Sequence, residues 1–383
     1  MVRRILHVVG DSQFGGGAVL ILRIAQAAAE RGGQVDVLST NSQFNKAIET
    51  SDLGVVSLDC IWREIRPLRD LYGLFVLYRF LRNKSYDIVH THTSKAGLIG
   101  RAAAFFAGTP VIIHTVHGFA FHEESSPWVV RFYSALERLA AKWCNKIVTV
   151  SNYHRAWALN LGISKPDHIL AIPNGISPQR VVPAIGRDDF RASLGIRPQD
   201  LVLVSAGRLA PQKGIEYLID AVKILVDSGV SNLRVLIAGD GPLRAFLEDK
   251  TKEVGLQQNF IFLGFRSDVA DILNAGDIAV MPTEREGLSI ALLEAMAMGK
   301  PIVTTVIGSN LEVTENGQHA RLVNPKDSRA LALAIREFVS DAGLAKRLGE
   351  SARSHFQKIY TEDVMLNSYM DLYDSLLKSS NAR

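Results

Sequence analysis

Between residues 277 and 305 a short apolar run, a helical pattern and a second short apolar run follow in close succession. This order constrains the fold more than any other feature of the chain. Leu288, Ala291, Leu292, Ala295 and Met296 recur at helical spacing, Ser289 suits an N-cap, and Gly299 followed by Lys300 and Pro301 ends the pattern. The flanking runs, 277–281 and 301–305, have the length of strands. A strand, a helix and a strand so joined form a parallel pair with a right-handed crossover, and such sheets bind ligands beyond the carboxyl ends of their strands.

Two carboxylates frame this unit, Glu286 before the helix and Glu294 within it. Were both helical, the standard rise and turn would set them roughly 12 Å apart and about 80° around the axis. They cannot grip one atom together. They suit two parts of an extended ligand, with the N–H groups of residues 288–290 facing an anion between them. A nucleoside diphosphate sugar has that layout of ribose, diphosphate and sugar.

The rest of the chain repeats the alternation. Strands are expected at 3–9, 34–38, 87–91, 111–116, 146–150, 168–172, 201–205, 234–238 and 260–263 with helices between them, which predicts doubly wound parallel α/β architecture. The chain is 383 residues long, enough for two such domains. Pro178, Pro183, Gly186 and Pro198 mark a linker, so the expected division is 1–185, 186–360 and a last helical segment 361–383.

Two loops carry phosphate-binding chemistry. The first strand runs into Gly15, Gly16 and Gly17 before an apolar helix, and glycines let a backbone approach an anion at a helix start. The spacing is not the dinucleotide Gly-x-Gly-x-x-Gly pattern, which removes support for a nicotinamide cofactor. After strand 201–205 come Arg208 and Lys213 in a glycine-flanked loop. The guanidinium can fork onto phosphate oxygens and the ammonium adds a point charge.

Five of the ten histidines, His90, His92, His114, His117 and His122, fall between residues 90 and 122. His90 and His92 alternate along one strand, but they lack a neighbouring carboxylate or cysteine, and no metal site is assigned. No Asp-x-Asp metal motif accompanies the other candidates, so neither metal nor cofactor is expected. Cys60 and Cys144 are too few for a disulfide framework and point to a reducing compartment. Residues 5–10 read as a first strand rather than a signal peptide, and Arg79 and Arg101 interrupt the best candidates for a membrane span. The expectation is a cytoplasmic protein, with or without peripheral attachment to the inner membrane.

Charge is uneven, +7 over residues 1–185 and −3 over the remainder. Arg63, Arg66, Arg69, Arg79, Arg82 and Lys84 interleave with Leu71, Leu74, Phe75, Leu77 and Tyr78. Such a helix either lies on an anionic membrane or turns its apolar face to the core and its basic face to water, and the sequence leaves both open. No nucleic-acid motif accompanies the charge, and a nucleic-acid partner is not expected.

Glu286-Gly287, Glu294-Ala295-Met296-Ala297, Gly299-Lys300-Pro301 and Gly308 to Glu312 together resemble the signature of the retaining GT-B glycosyltransferases of family 4, also called glycosyl transferases group 1, which include bacterial capsule, O-antigen and exopolysaccharide enzymes. His117-Gly118, Pro173-Asn174-Gly175 and the Arg208 to Lys213 loop are similar to further family motifs, and residues 91–97 and 118–123 look most like members acting on lipid-linked polysaccharide intermediates. The resemblance implies two Rossmann-like domains facing across a cleft, the donor on the second and the acceptor on the first. It implies that Arg208 and Lys213 hold the donor diphosphate, that His117 lies near the donor sugar, and that the backbone at residues 264–266, including Arg266, meets the base. Gly16, Gly17, Gly287, Leu288 and Ser289 complete the implied donor site, and the last helix crosses back to the first domain. Where the family commonly has an acidic residue after its Gly-Gly, this chain has Ala18 and Val19.

The resulting expectation is transfer, with retention and without metal, of a hexose or N-acetylhexosamine from a nucleotide sugar, uridine diphosphate favoured, to a glycan or polyprenyl-diphosphate-linked acceptor. Leaving-group charge would be met by Arg208, Lys213 and the helix start at Ser289. Glu286 is placed on sugar hydroxyls rather than as a nucleophile, and Glu294 on the ribose. A nucleotide-sugar epimerase and a non-catalytic nucleotide-sugar-binding protein are the alternatives from other classes.

Overall fold

The computed structural model describes residues 3–10, 15–62 and 64–381. The chain forms two compact units, one of residues 1–174 with 363–383 and the other of residues 175–362. The break falls eleven residues before the boundary expected at 185, and the closing helix joins the first unit.

The strands of the first unit are β1 (Arg4–Gly10), β2 (Gln34–Ser39), β3 (Gly54–Val56), β4 (Ile88–His92), β5 (Val111–Val116), β6 (Lys146–Thr149) and β7 (Ile169–Ala171). Its first helices are α1 (Gly16–Glu30), α2 (Ser42–Glu49) and α3 (Pro67–Lys84), followed by α4 (Ser94–Ala107), α5 (Pro127–Ala141) and α6 (Asn152–Asn160). All pairings are parallel, in the order β3-β2-β1-β4-β5-β6-β7. The order reverses between β1 and β4, the switch point where loops of opposite sense leave a crevice.

The second unit contains α7 (Arg187–Ser193), β8 (Leu201–Ala206), α8 (Ile215–Asp227), β9 (Leu233–Ala238), α9 (Arg244–Glu253), β10 (Phe260–Gly264) and α10 (Val269–Ala275). It continues with β11 (Ile278–Met281), α11 (Ile290–Ala297), β12 (Ile302–Thr305), α12 (Gly308–Val313), β13 (Arg321–Val323), α13 (Ser328–Ser340) and α14 (Ala342–Ile359). The parallel order is β10-β9-β8-β11-β12-β13, reversing between β8 and β11. The last helix is α15 (Glu362–Asn381).

Each sheet buries near-continuous Val, Ile and Leu on both faces, as parallel strands under helices must. Val8, Val89 and Ile112 pack with Ile99 and Ala103 of α4, and Val204, Val235 and Val280 are no more than 1 % exposed. Residues 178–200, expected as a linker, are more ordered than their prolines suggested. They form a 3-10 turn at Pro178–Val181 and then α7. Asp271 accepts from the Ala184 and Ile185 N–H at 2.7 and 2.9 Å, and buried Arg191 donates to Ala275 O at 2.8 Å and to Asp277 Oδ2 at 2.9 Å. Long-range polar anchoring overrides local breaker composition here.

Gly16 and Gly17, expected in the loop after β1, already belong to the first turn of α1, with Gly15 extended at the N-cap. Asp11, Ser12, Gln13 and Phe14 of that loop, and Arg63 of the basic segment, lie outside the described residues.

Candidate functional site

In the second unit the loops after β8 and β11 leave adjacent strands at the switch point, and Lys213 and Glu286 meet there as an ion pair. The Lys213 turn is a 3-10 segment, Pro211–Lys213, closed by Gly214 at φ +62. A Cβ on Gly214 would stand 2.2 Å from Pro282 O, so glycine is needed both for the left-handed turn and for the close approach of the two loops. The Glu284 N–H donates to Gln212 O at 2.9 Å and fixes their spacing. A small cavity at these strand ends is lined by Ser205, Gly207, Lys213, Met281, Thr283 and Ser289. Gly207 at φ +144 and Gly239 at φ +150 bring the β9 exit against that of β8, where a Cβ on Gly239 would lie 1.8 Å from Gly207 O. Arg208 is exposed and, among the described residues, forms no ion pair.

The helix begins later than Glu286. Ser289 is the N-cap, its Oγ accepting from the Leu292 N–H at 3.4 Å, and α11 starts at Ile290. The two carboxylates therefore do not share a helix, and the separation reckoned for that case does not apply. Each instead has its own cation. Glu294 is buried on α11 and accepts from Arg180 Nε at 2.7 Å, with 5 % of its side chain exposed. Burial raises its carboxyl above the usual range and Arg180 opposes that rise. Arg180 carried no motif in the sequence; its place in the 3-10 turn after the first unit is what brings it to Glu294.

The motif residues after Gly287 build the floor. Ser309 Oγ donates to Glu286 O at 3.0 Å, Thr304 Oγ1 to Met281 O at 2.9 Å, and the buried Asn310 amide to Thr304 Oγ1 at 2.9 Å. Lys300 of Gly-Lys-Pro donates to Gly276 O at 2.7 Å and Asn274 O at 3.1 Å, and burial lowers its ammonium to about 8. It braces the sheet. Arg266 is paired with Asp268 through Nε and Oδ1 at 2.7 Å. Its charge is largely answered there.

In the first unit His117 follows β5 and is partly exposed. Its Nε2 lies 3.1 Å from His92 Nδ1, and His92 Nε2 lies 3.0 Å from His7 Nδ1. His90 on the same sheet face bonds Tyr373 OH at 2.6 Å and Thr115 Oγ1 at 2.8 Å, and Thr115 reaches Tyr369 OH at 3.2 Å. Both tyrosines come from α15, which thereby closes over the histidines. His114 points to the opposite face and bonds Thr91 Oγ1 at 2.9 Å. Burial lowers the His117 imidazole to about 4 and His7 to about 3, and holds His90 and His92 well below the ordinary value.

His7, which no motif marked, joins His90 and His92 in a group whose ring nitrogens lie within 4.8 Å of one another. That set has no carboxylate, and both His90 nitrogens are already bonded to Tyr373 and Thr115. Glu315, His319 and His355 form a second such group in the other unit. Of the first group the sequence offers only His90 and His92, set aside for want of a carboxylate or cysteine; His7 and His355 join their groups from distant parts of the chain.

Residues 14–180 match the family model described as Glycosyltransferase Family 4, and residues 186–355 match that of Glycosyl transferases group 1. The UDP-Gal:alpha-D-GlcNAc-diphosphoundecaprenol alpha-1,3-galactosyltransferase of Escherichia coli is 32 % identical over 81 % of this chain and 82 % of its own. An N,N'-diacetylbacillosaminyl-diphospho-undecaprenol alpha-1,3-N-acetylgalactosaminyltransferase of Campylobacter jejuni is 26 % identical, covering 93 % of this chain and 95 % of its own. The crystal structure of Anabaena HepE in complex with UDP superposes with a TM-score of 0.82 at 21 % identity, over 97 % of this chain and 100 % of that one. That last likeness speaks for the fold.

Proposed function

From the premise that the chain belongs to the glycosyl transferases group 1 family, and is a glycosyltransferase of the GT-B fold class, we propose that it moves a hexose or N-acetylhexosamine from a uridine diphosphate sugar to a polyprenyl-diphosphate-linked sugar in cell-surface polysaccharide synthesis. The observation that carries the donor half is the meeting of Lys213 with the Glu286 loop beside the capped start of α11, with exposed Arg208 on the same exit from β8. Departure of a nucleoside diphosphate concentrates charge on the leaving oxygens. Two cations and a helix start gathered there can stabilise that charge, with Lys213 shared between Glu286 and the phosphate. The relatives' names supply the choice of uridine diphosphate and of a diphosphoundecaprenol acceptor.

In this reading Arg208 and Lys213 hold the diphosphate, Glu286 and the backbone at Gly287 and Leu288 hold sugar hydroxyls, and Glu294 holds the ribose. Gly16, Gly17 and the strand end before Arg266 contribute backbone groups, and His117 meets a sugar hydroxyl. Transfer proceeds with retention and without a metal, the departing phosphate helping to remove the acceptor proton. The pairing of Glu286 with Lys213 favours binding over nucleophilic attack, since the ammonium draws off the charge that an attacking carboxylate needs.

An exposed apolar and basic surface on the first unit fits a lipid-linked acceptor. α3 buries Gly73, Leu77 and Leu81, while Leu68, Leu71, Tyr72 and Phe75 are 54–86 % exposed. The apolar residues of this helix therefore do not all face the core. Phe106 of α4 joins Leu71, Leu74, Phe75 and Tyr78 around an apolar depression, and Trp128 and Phe132 of α5 are also exposed. No helix among the described residues is long and apolar enough to cross a membrane. Apolar anchors flanked by Arg66, Arg69, Arg79, Arg82 and Lys84 suit attachment to an anionic inner leaflet.

The test is nucleoside diphosphate release from a panel of uridine and guanosine diphosphate sugars, with and without chelator, using an undecaprenyl-diphosphate-linked sugar as acceptor. Turnover of one donor, dependent on acceptor and indifferent to chelator, is expected. Conversion of a donor without acceptor would replace transfer by epimerisation, and binding without any turnover would leave a nucleotide-sugar-binding protein.

A further inference from the structure

His7, His92 and His117 form a staircase across the sheet. In the β1 and β4 register His7 stands opposite His90, so His92 lies two residues further along; opposite His92 stands Thr115, so His117 again lies two further along. The period of two keeps all three rings on one face while stepping toward the carboxyl ends of the strands. Two contacts link them, His7 Nδ1 to His92 Nε2 at 3.0 Å and His92 Nδ1 to His117 Nε2 at 3.1 Å.

Each contact needs one donor and one acceptor, and a neutral imidazole offers one of each. Only two directions are open to the neutral chain. If the hydrogens run inward, from His117 to His92 to His7, the last proton sits on His7 Nε2. That atom is fully buried with no partner among the described residues, and an orphaned buried N–H is the rarer and worse case. If they run outward, His7 donates from Nδ1, His92 accepts at Nε2 and donates from Nδ1, and His7 Nε2 keeps only a lone pair. A third arrangement, with His92 doubly protonated, would bury a cation without a carboxylate and still leave an N–H on His7 Nε2. His90 does not compete, because Tyr373 and Thr115 occupy both of its nitrogens.

We infer that His7 and His92 are positioning residues that lock His117 as the Nδ1–H tautomer, so that its outer nitrogen is a fixed hydrogen-bond donor to an oxygen of the substrate and not a base. The identity of that oxygen as a sugar hydroxyl rests on the transferase reading; the direction of the relay does not. The low basicity that burial gives His117 agrees with a ring that stays neutral while it donates. Donation from a neutral ring lets the site bind a hydroxyl without taking its proton, leaving proton removal to the departing phosphate.

The test is a two-dimensional nitrogen-proton correlation spectrum of the imidazoles in the full-length, histidine-labelled protein, with His117 assigned through His117→Gln. His117 is expected to carry its proton on Nδ1. A proton on Nε2 overturns the inference, and this reading requires neither substrate nor a destabilised variant. In His7→Leu the donor to His92 is gone, so His117 should populate both tautomers and kcat should fall roughly tenfold with little change in donor KM. His7→Asn, whose amide nitrogen can still donate near the Nδ1 position, should restore the tautomer and most of kcat. Loss of kcat with the His117 tautomer unchanged in His7→Leu would count against the relay and leave His7 a packing residue. If the tautomer is Nδ1–H and no donor turns over, the transferase reading fails while the relay stands.

Discussion

Arg180 donates from Nε to Glu294 Oε1 at 2.7 Å, tying the turn at the start of the second unit to the interior of α11 across 114 residues of sequence. Glu294 has 5 % of its side chain exposed and Arg180 37 %, so this is a buried carboxylate answered by a cation that still touches water. Without the cation, burial alone acts on the carboxyl and drives it further upward. Arg180→Met should therefore cost about 1–2 kcal/mol of unfolding free energy, below the range for fully buried pairs because water screens the guanidinium. Glu294→Gln, which removes the charge needing an answer, should cost less in stability yet weaken donor binding. Denaturant unfolding of both variants checks the order, and Glu294→Gln as the more destabilised of the two would refute it.

Lys213 and Glu286 give a second contrast. Lys213→Met removes a cation positioned for leaving-group charge, and kcat is expected to fall by about a hundredfold or more. Glu286→Gln keeps a side chain able to bond sugar hydroxyls but destroys a carboxylate nucleophile. It should keep measurable turnover and raise donor KM. Complete loss of turnover in a folded Glu286→Gln protein, together with a trapped glycosyl-enzyme in wild type, would restore the nucleophile role.

The alternation of strands and helices was legible because parallel strands buried on both faces leave near-continuous apolar runs, and eleven of the thirteen strands among the described residues were expected close to where they lie. β3 and β13, of three residues each, were too short to leave a pattern. In the second unit Lys213 and Glu286 were legible because glycine-marked loops follow neighbouring strands. Arg180 was not, since a lone arginine in a proline-rich stretch gives no hint of the carboxylate it will reach. His7 escaped notice for a related reason. One histidine in an apolar strand reads as core, and only the register of β1 against β4 reveals that it continues the line of His92 and His117.

The same histidines make an acid limit for the first unit. His7, His90, His92, His114 and His117 are all held below the ordinary imidazole value, with burial the first cause in each. The unfolded chain binds protons at these sites below about pH 6.5 while the folded chain does not, so stability is full above that pH and falls as pH drops toward the folded values, about 4 for His117 and about 3 for His7. Each site acts in the same direction, by at most about 1.4 kcal/mol per pH unit, so their effects reinforce one another as pH falls. Urea midpoints measured from pH 7.5 to 5 should fall steeply below 6.5, and His90→Gln should reduce the slope. A flat midpoint across that range would mean that these rings are not buried neutral.

The exposed face of the first unit yields the last test. Leu71 at 64 %, Phe75 at 54 % and Trp128 at 79 % exposure present apolar area to water, and burying them at a lipid interface removes that area. Arg82 and Lys84 close α3 on its basic side and should add about 1 kcal/mol each toward an anionic surface at low salt. The two terms separate experimentally. Vesicles containing anionic phospholipid should sediment the wild-type protein, and zwitterionic vesicles should sediment much less of it. Arg82→Glu with Lys84→Glu should lower binding at low salt and matter little at high salt, where screening has already removed the charge term. Leu71→Ser with Phe75→Ser and Trp128→Ser should lower binding at every salt concentration, and should slow transfer to a long-chain polyprenyl acceptor more than to a short-chain analogue. Equal sedimentation with both vesicle types, unchanged by either set of substitutions, would exclude a membrane role for this face.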